Sequence, residues 1–162
     1  LTVISLFVIL VANIVGACLP DLDQATNRLW DMLPAGNLIG RLLRRLFLSH
    51  RTLSHSFLGF YLIHRLSSLI LPQLLNPQFI NIDLIYYSLL IGFISHLFLD
   101  FLTEEGIPLF FPLKLKIGFP PIRPWRIKTG GWFEKYVIFL SVAVIFLYLV
   151  ANRYRQILAW FI

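Results

Sequence analysis

His96 and Asp100 lie four residues apart, so on a helix they project from one face, and Thr103 continues that face. A His-x-x-x-Asp pair of this kind is a plausible pair of metal ligands. Two more clusters share its chemistry: Asp21 and Asp23 in Leu-Pro-Asp-Leu-Asp, and His50, Arg51, Ser54 and His55 between Ser49 and Ser56. Imidazole and carboxylate without thiolate suit a divalent metal ion, zinc first and then manganese, iron or magnesium, and sites built this way activate a water for hydrolysis. Cys18 is the only cysteine, which excludes CxxC-type zinc sites and a disulfide framework. Arg51 offers a planar fork for a substrate phosphate or carboxylate, although pairing with Asp21 or Asp23 would use the same fork. Asp21 and Glu134 are candidate general bases, and Glu134 also suits orienting a ligand. Pro20 favours a break before Asp21, and in an extended turn Asp21 and Asp23 would point the same way. A helix starting near His50, with Ser49 as its cap, would place His50 and His55 on different faces.

The elements that must position these residues are membrane helices. The 162 residues are 58% hydrophobic, 15% aromatic and 14% charged, with a mean hydropathy of +0.78. That leaves too few polar side chains to cover a water-facing globule. Four stretches approach the length of about 20 apolar residues that crossing a bilayer requires. They are 1–19, which is uncharged; 57–75, apolar except for His64 and Arg65 and containing Pro72; 84–102, which holds His96 and Asp100; and 136–152, which is uncharged. The expected fold is all-α and integral to the membrane, one domain over 1–162 with about four transmembrane helices and loops at 20–56 and 103–135. The first stretch lacks the basic start and small-residue exit of a cleaved signal and reads as an anchor or first span. The chain begins at Leu1 rather than Met, so a shortened chain or an alternative start is expected.

Charge sets the orientation. The formal net charge is +6, from 14 Lys and Arg against 8 Asp and Glu. Arg28, Arg41, Arg44, Arg45 and Arg51 lie in the first loop, and Lys114, Lys116, Arg123, Arg126 and Lys128 in the last, while the loop between spans two and three has no Lys or Arg. The two long loops are therefore read as cytoplasmic, and their charges outweigh Arg153 and Arg155 in the tail. Within the first loop, Gly40 to His50 alternates Arg with Leu and Phe as a basic amphipathic helix, which lies on an anionic leaflet or packs on the spans. Pro112 to Lys128 reads as a short hairpin-like excursion, either a lid over the site or a basic lipid-contacting loop.

With this orientation the three clusters meet at one level. Span one ends inward at Asp21 and Asp23, span two begins inward after His50 and His55, and span three ends inward at His96, Asp100 and Thr103. Glu134 opens span four at the same face. Ionisable groups at such positions are costly and are functional candidates. His64, beside Arg65 near mid-span and turned away from His55, reads instead as a contact inside the bundle. The Trp and Tyr residues near span ends suit an aromatic belt.

On these residues the chain resembles the YdjM-type family, the LexA-binding inner-membrane-associated hydrolases also described as membrane-bound metal-dependent hydrolases. The resemblance covers most of the chain. Its carriers are Leu19 to Asp23, His50 to Ser56, Gly92 to Thr103, Gly106-Ile107-Pro108 and Phe111-Pro112. The pattern HR-x-x-[TS]-H-S falls on His50, Arg51, Ser54, His55 and Ser56, and HxxxDxxT on His96, Asp100 and Thr103. The resemblance implies metal-dependent hydrolysis at the membrane, with these His and Asp residues as ligands. It also implies a histidine near the N-terminus that the sequence from Leu1 does not contain. The order of ligands is similar to part of the pattern of zinc-dependent phospholipases C and nucleases, which implies a phosphoester substrate.

The expectation is a multi-pass protein of the cytoplasmic (inner) membrane with metal ligands drawn from Asp21, Asp23, His50, His55, His96 and Asp100, and with Asp21, Arg51 and Glu134 in catalytic roles. Its partners would be membrane lipids and a small-molecule or lipid-linked substrate. No nucleic acid is expected, because no helix-turn-helix or zinc-finger spacing is present. One rival is a non-enzymatic membrane protein whose His and Asp clusters are structural networks. The other is a cation transporter, although the clusters lie at one end and do not line both halves of a path.

Overall fold

A computed structural model describes residues 3–23, 53–113 and 115–158. Regular structure among these residues is entirely helical. Helix α1 is Val3–Cys18, α2 is Phe57–Leu74, α3 is Ile82–Phe101 and α4 is Phe139–Leu158. These helices fall on the four stretches expected from hydropathy. Among the described residues α3 is the one helix long and apolar enough to cross a membrane. Helix α1 is apolar but shorter, α2 carries His64 and Arg65, and α4 ends in a polar tail. The amphipathic segment Gly40 to His50 lies outside the described residues.

Helices α1 and α3 form the closest pair and run parallel, since Ile9 and Asn13 meet Ser88, and Ala17 meets Gly92. Their backbones nearly touch. A Cβ on Gly92 would lie 2.1 Å from the Asn13 carbonyl oxygen, and one on Gly16 would lie 2.0 Å from that of Leu89. Polar side chains tie the same seam: Asn13 Nδ2 donates to the Ser88 carbonyl at 3.0 Å, and Ser88 Oγ donates to the Ile9 carbonyl at 2.9 Å. Small residues with such bonds are what holds helices together where lipid removes the hydrophobic drive between them.

Helix α2 runs antiparallel to α3. Phe60 packs on Phe93 near one end, and His64 Nδ1 and the Tyr86 hydroxyl share a hydrogen bond further along. His64 is thus the bundle contact its position suggested. The core is small, with Ile85, Leu89 and Leu90 packed with Ala12, and Phe93 and Leu97 packed with Ile107. Outside it, large apolar side chains such as Phe7, Leu10, Ile91 and Phe98 are exposed. A water-soluble surface rarely presents so continuous an apolar belt, whereas a bilayer solvates one.

Asp21 and Asp23 differ from the extended-turn expectation. Pro20 does not break the chain into a strand-like turn; Leu19–Asp23 continues α1 as a 3-10 helix. Proline's fixed φ is compatible with helical backbone.

After α3 the chain makes the hairpin-like excursion. Ile107 and Ile117 exchange two backbone hydrogen bonds of 2.9 Å, and Thr103 bridges to Ile127 in parallel. The excursion is fastened to the end of α3 by Phe119 N to Phe101 O at 2.9 Å and by Ile127 N to Leu102 O at 3.0 Å. It is fastened to the start of α2 by Phe57 N to Leu109 O at 3.0 Å. A π-helical turn at Phe133–Ile138 then leads into α4, which makes no extended interface with α1 to α3 among the described residues.

Candidate metal centre

Three elements deliver the site. The parallel register of α1 and α3 brings Asp21, one turn beyond the end of α1, level with His96 and Asp100 on the last turns of α3. The third contribution precedes α2. Residues 53–56 form a turn rather than helix, and the helix is capped by Ser56, whose Oγ accepts from Gly59 N at 3.1 Å and donates to the Leu53 carbonyl at 2.6 Å. The turn folds back on the first helical turn so closely that a Cβ on Gly59 would lie 2.1 Å from the Leu53 carbonyl oxygen. This places the His55 ring, 0% exposed, against α3.

The polar atoms converge. His55 Nε2 lies 3.2 Å from Asp100 Oδ2 and 3.9 Å from Asp21 Oδ1. His96 Nε2 lies 3.7 Å from Asp21 Oδ1 and 3.8 Å from Asp100 Oδ2. The ligand atoms of Asp21, His55 and His96 all lie within 4.8 Å of one another. The two imidazoles meet edge to face, with centroids 5.4 Å apart.

This arrangement fits an ion. Zinc–nitrogen and zinc–oxygen bonds are about 2.0–2.1 Å, so ligand atoms around a tetrahedral ion sit about 3.3–3.4 Å from each other. The four nitrogen–oxygen separations are 3.2, 3.7, 3.8 and 3.9 Å, one just inside that value and three a few tenths of an ångström outside it. His96 Nε2 is buried and has no hydrogen-bond partner among the described residues. His55 Nδ1 lies 2.9 Å from Ser54 Oγ. When the ring donates to that hydroxyl, the Nε2 lone pair faces the cluster, the tautomer a metal ligand needs.

Of the residues expected at the site, Asp21, His55, His96 and Asp100 are brought together. His50 and Arg51 lie outside the described residues, as do the side chains of Asp23 and Glu134. Ser54 enters as a partner of His55. Beside the cluster, a cavity of about 200 Å³ is walled by His96, Asp100 and Thr103 on one side and by Ile127 and Thr129 on the other. Thr103 also secures the helix end, donating from Oγ1 to the Asp100 carbonyl at 2.7 Å. Ile127 and Thr129 were not anticipated individually; their signal was their place in an excursion expected near the site.

Comparison with known proteins places the chain among relatives. The "Uncharacterized protein YvsG" of Bacillus subtilis (strain 168) is 30% identical over 124 residues, which are 76% of this chain and 67% of that protein. "Inner membrane protein YdjM" of Escherichia coli (strain K12) and its namesake in Shigella flexneri are each 27% identical over 124 residues, again 76% of this chain but 58% of theirs. The chain thus matches less than two thirds of the length of the two YdjM proteins. No solved structure matches. The profile of a family described as "YdjM inner membrane protein" matches residues 3–158. Matched over nearly its whole length, with the His and Asp motifs gathered at one end of its helices, the chain belongs to the YdjM inner membrane protein family.

Proposed function

We propose that this chain is a multi-pass inner-membrane hydrolase that holds a divalent metal ion, zinc in the first place, between Asp21, His55, His96 and Asp100 on the cytoplasmic face, and cleaves an ester or phosphoester. The observation that carries this reading is the convergence of imidazole and carboxylate from three separate segments at ligand-to-ligand spacing. The inner-membrane location is supported by the names of the two YdjM relatives, and the cytoplasmic side by the basic loops.

Held by these residues, such an ion would supply Lewis acidity for the hydrolysis. The chain's own residues supply the rest. His55, fully buried and paired with Ser54, is the rigid ligand. Asp21 is the most exposed of the four, at 34%, and is the carboxylate best placed to take a proton from water entering the site. The adjoining cavity holds the group next to the scissile bond, with Thr129 as a hydroxyl on its far wall. Arg51 neutralises the substrate anion, and Glu134 serves as a further base or as an orienting group. A lipid or lipid-linked substrate suits a site at headgroup depth, and membrane lipids are the constant partners.

The test is the metal content of detergent-purified protein, compared with the His96→Ala and Asp100→Ala variants. The expected result is about one ion or more per chain in the parent and loss in both variants, with phosphoester and lipid substrates then screened on the loaded parent. Folded parent protein that takes up no added zinc, manganese, iron or magnesium would remove the hydrolase reading.

A further inference from the structure

We infer that the excursion between α3 and the π-helical turn, residues 106–132, is a docking element that seats on an anionic lipid leaflet. Its side chains are arranged for an interface rather than for water or for a core. Leu113, Leu115, Phe119, Ile122 and Trp125 are all more than half exposed, Trp125 at 72%. Interleaved with them, Lys116, Arg123 and Lys128 are exposed cations. No Asp or Glu occurs between Gly106 and Phe133. An exposed apolar set of this size needs a cover, and the uninterrupted positive charge selects an anionic one.

The place of the segment in the fold identifies the cover. The excursion is hydrogen-bonded to Phe101 and Leu102, at the very end of the helix that is long and apolar enough to cross a bilayer. It therefore begins at the headgroup level and is tied back to it at Phe119 and Ile127. Arg126 is turned inward, donating from Nε to the Pro120 carbonyl at 2.7 Å and from a terminal nitrogen to the Pro121 carbonyl at 3.2 Å. One cation thus holds the shape while Lys116, Arg123 and Lys128 stay exposed. Aromatic rings with Lys and Arg at this depth are the composition of an interfacial anchor. Ile127 and Thr129 wall the cavity beside the metal centre, so seating this element sets the cavity mouth against lipid headgroups. The inference rests on α3 crossing the bilayer and is independent of hydrolysis.

The experiment uses the whole chain in vesicles, with tryptophan fluorescence as the reporter. One form keeps Trp125 alone, through Trp30→Phe, Trp132→Phe and Trp160→Phe. A second has all four tryptophans replaced by Phe and carries Ile91→Trp, an exposed position in the middle of α3. In phosphatidylcholine–phosphatidylglycerol vesicles, Trp125 should be quenched by lipids brominated near the headgroup and shielded from acrylamide. In pure phosphatidylcholine, or with Lys116→Gln, Arg123→Gln and Lys128→Gln together, acrylamide access should rise. At roughly five-fold per cation near an anionic surface, three cations shift the seated-to-free ratio on the order of 100-fold. Trp125 open to acrylamide and untouched by brominated lipid, while the α3 reporter is quenched, would overturn the inference. Lipid quenching that is the same in both vesicle types would overturn its anionic part. An α3 reporter untouched by any brominated lipid would overturn the spanning of α3 and this inference with it, leaving the metal centre to its own test.

Discussion

Substituting Gly92 by alanine is expected to dismantle the candidate metal centre from a position that touches none of its four side chains. The added methyl would lie 2.1 Å from the Asn13 carbonyl oxygen, 2.9 Å from Ala17 N and 3.0 Å from the Asn13 carbonyl carbon, all of them backbone atoms of α1. Real contacts of this kind do not fall below 3.0 Å, so α1 and α3 must separate by about 0.9 Å at least. Asp21 and His96 lie about one helical turn beyond this crossing, and a rigid separation carries their 3.7 Å contact to about 4.6 Å. That exceeds the span of ligands on one ion, whose bond lengths tolerate only about 0.2 Å. Overfilling the seam should also lower stability by about 1–3 kcal/mol. The assay is zinc titration of the detergent-purified chain together with thermal unfolding, with Ile91→Ala, on the exposed face of the same helix, as the control. The expected result is a loss of affinity on the order of 10–100-fold or more and a lowered Tm for Gly92→Ala, with the control near the parent. Parent-like zinc affinity in Gly92→Ala would refute the argument that the glycine crossing sets the site.

Ser54→Ala removes the group facing His55 Nδ1; zinc affinity should fall about 10-fold without being abolished, as a competition titration would show. His64→Phe should leave the metal content at the parent value and cost about 1 kcal/mol of stability through loss of the bond to Tyr86, read from unfolding in detergent. Arg126→Ala withdraws the charged donor from the Pro120 and Pro121 carbonyls. The excursion should lose about 1.5–3 kcal/mol of local stability and be cut faster between Gly118 and Ile127 in limited proteolysis, while α1 to α3 stay intact.

The parts of this structure that were legible from sequence are those that one strong physical term decides. Hydropathy located α1 to α3 to within two residues and α4 to within six, and the asymmetry of Lys and Arg implied that Asp21 and His96 end at the same level. The parallel α1 and α3 bear out that shared level. What was not legible depended on contacts between segments. Asp21 was expected in an extended turn because Pro20 reads as a breaker, yet proline's φ also suits a helical turn, and the chain stayed helical through Asp23. His55 was considered for a helix starting near His50, whereas the cap fell to Ser56, whose hydroxyl reaches both Leu53 and Gly59. Ser56 meets the local rule for a cap, and the turn before it packs His55 against Asp100 of α3; Ser49 lies outside the described residues. Hydropathy gives no reason for a glycine at Gly16 or Gly92, and only the pairing of α1 with α3 shows why a side chain fits at neither.

The same crossing bears on whether the four ligands form a metal centre or a structural network between helices. A network of imidazolium and carboxylate draws its members to the 2.7–2.9 Å of charge-assisted hydrogen bonds, because charges taken from water are otherwise costly. Between these two imidazoles and two carboxylates the nitrogen–oxygen separations are 3.2, 3.7, 3.8 and 3.9 Å. The helices cannot slide closer to shorten them, since the backbones already meet at Gly16 and Gly92. The approach of Asp21 to His96 and Asp100 is thus limited by backbone packing of α1 on α3, which leaves room between the side chains for an ion. Two neutral imidazoles, two carboxylates and one divalent ion sum to zero charge, the cheapest state at the edge of a bilayer. It follows that removing one ligand should cost stability chiefly when metal is present. In excess chelator, His96→Ala should unfold close to the parent, whereas a structural network would lose the same increment with or without metal.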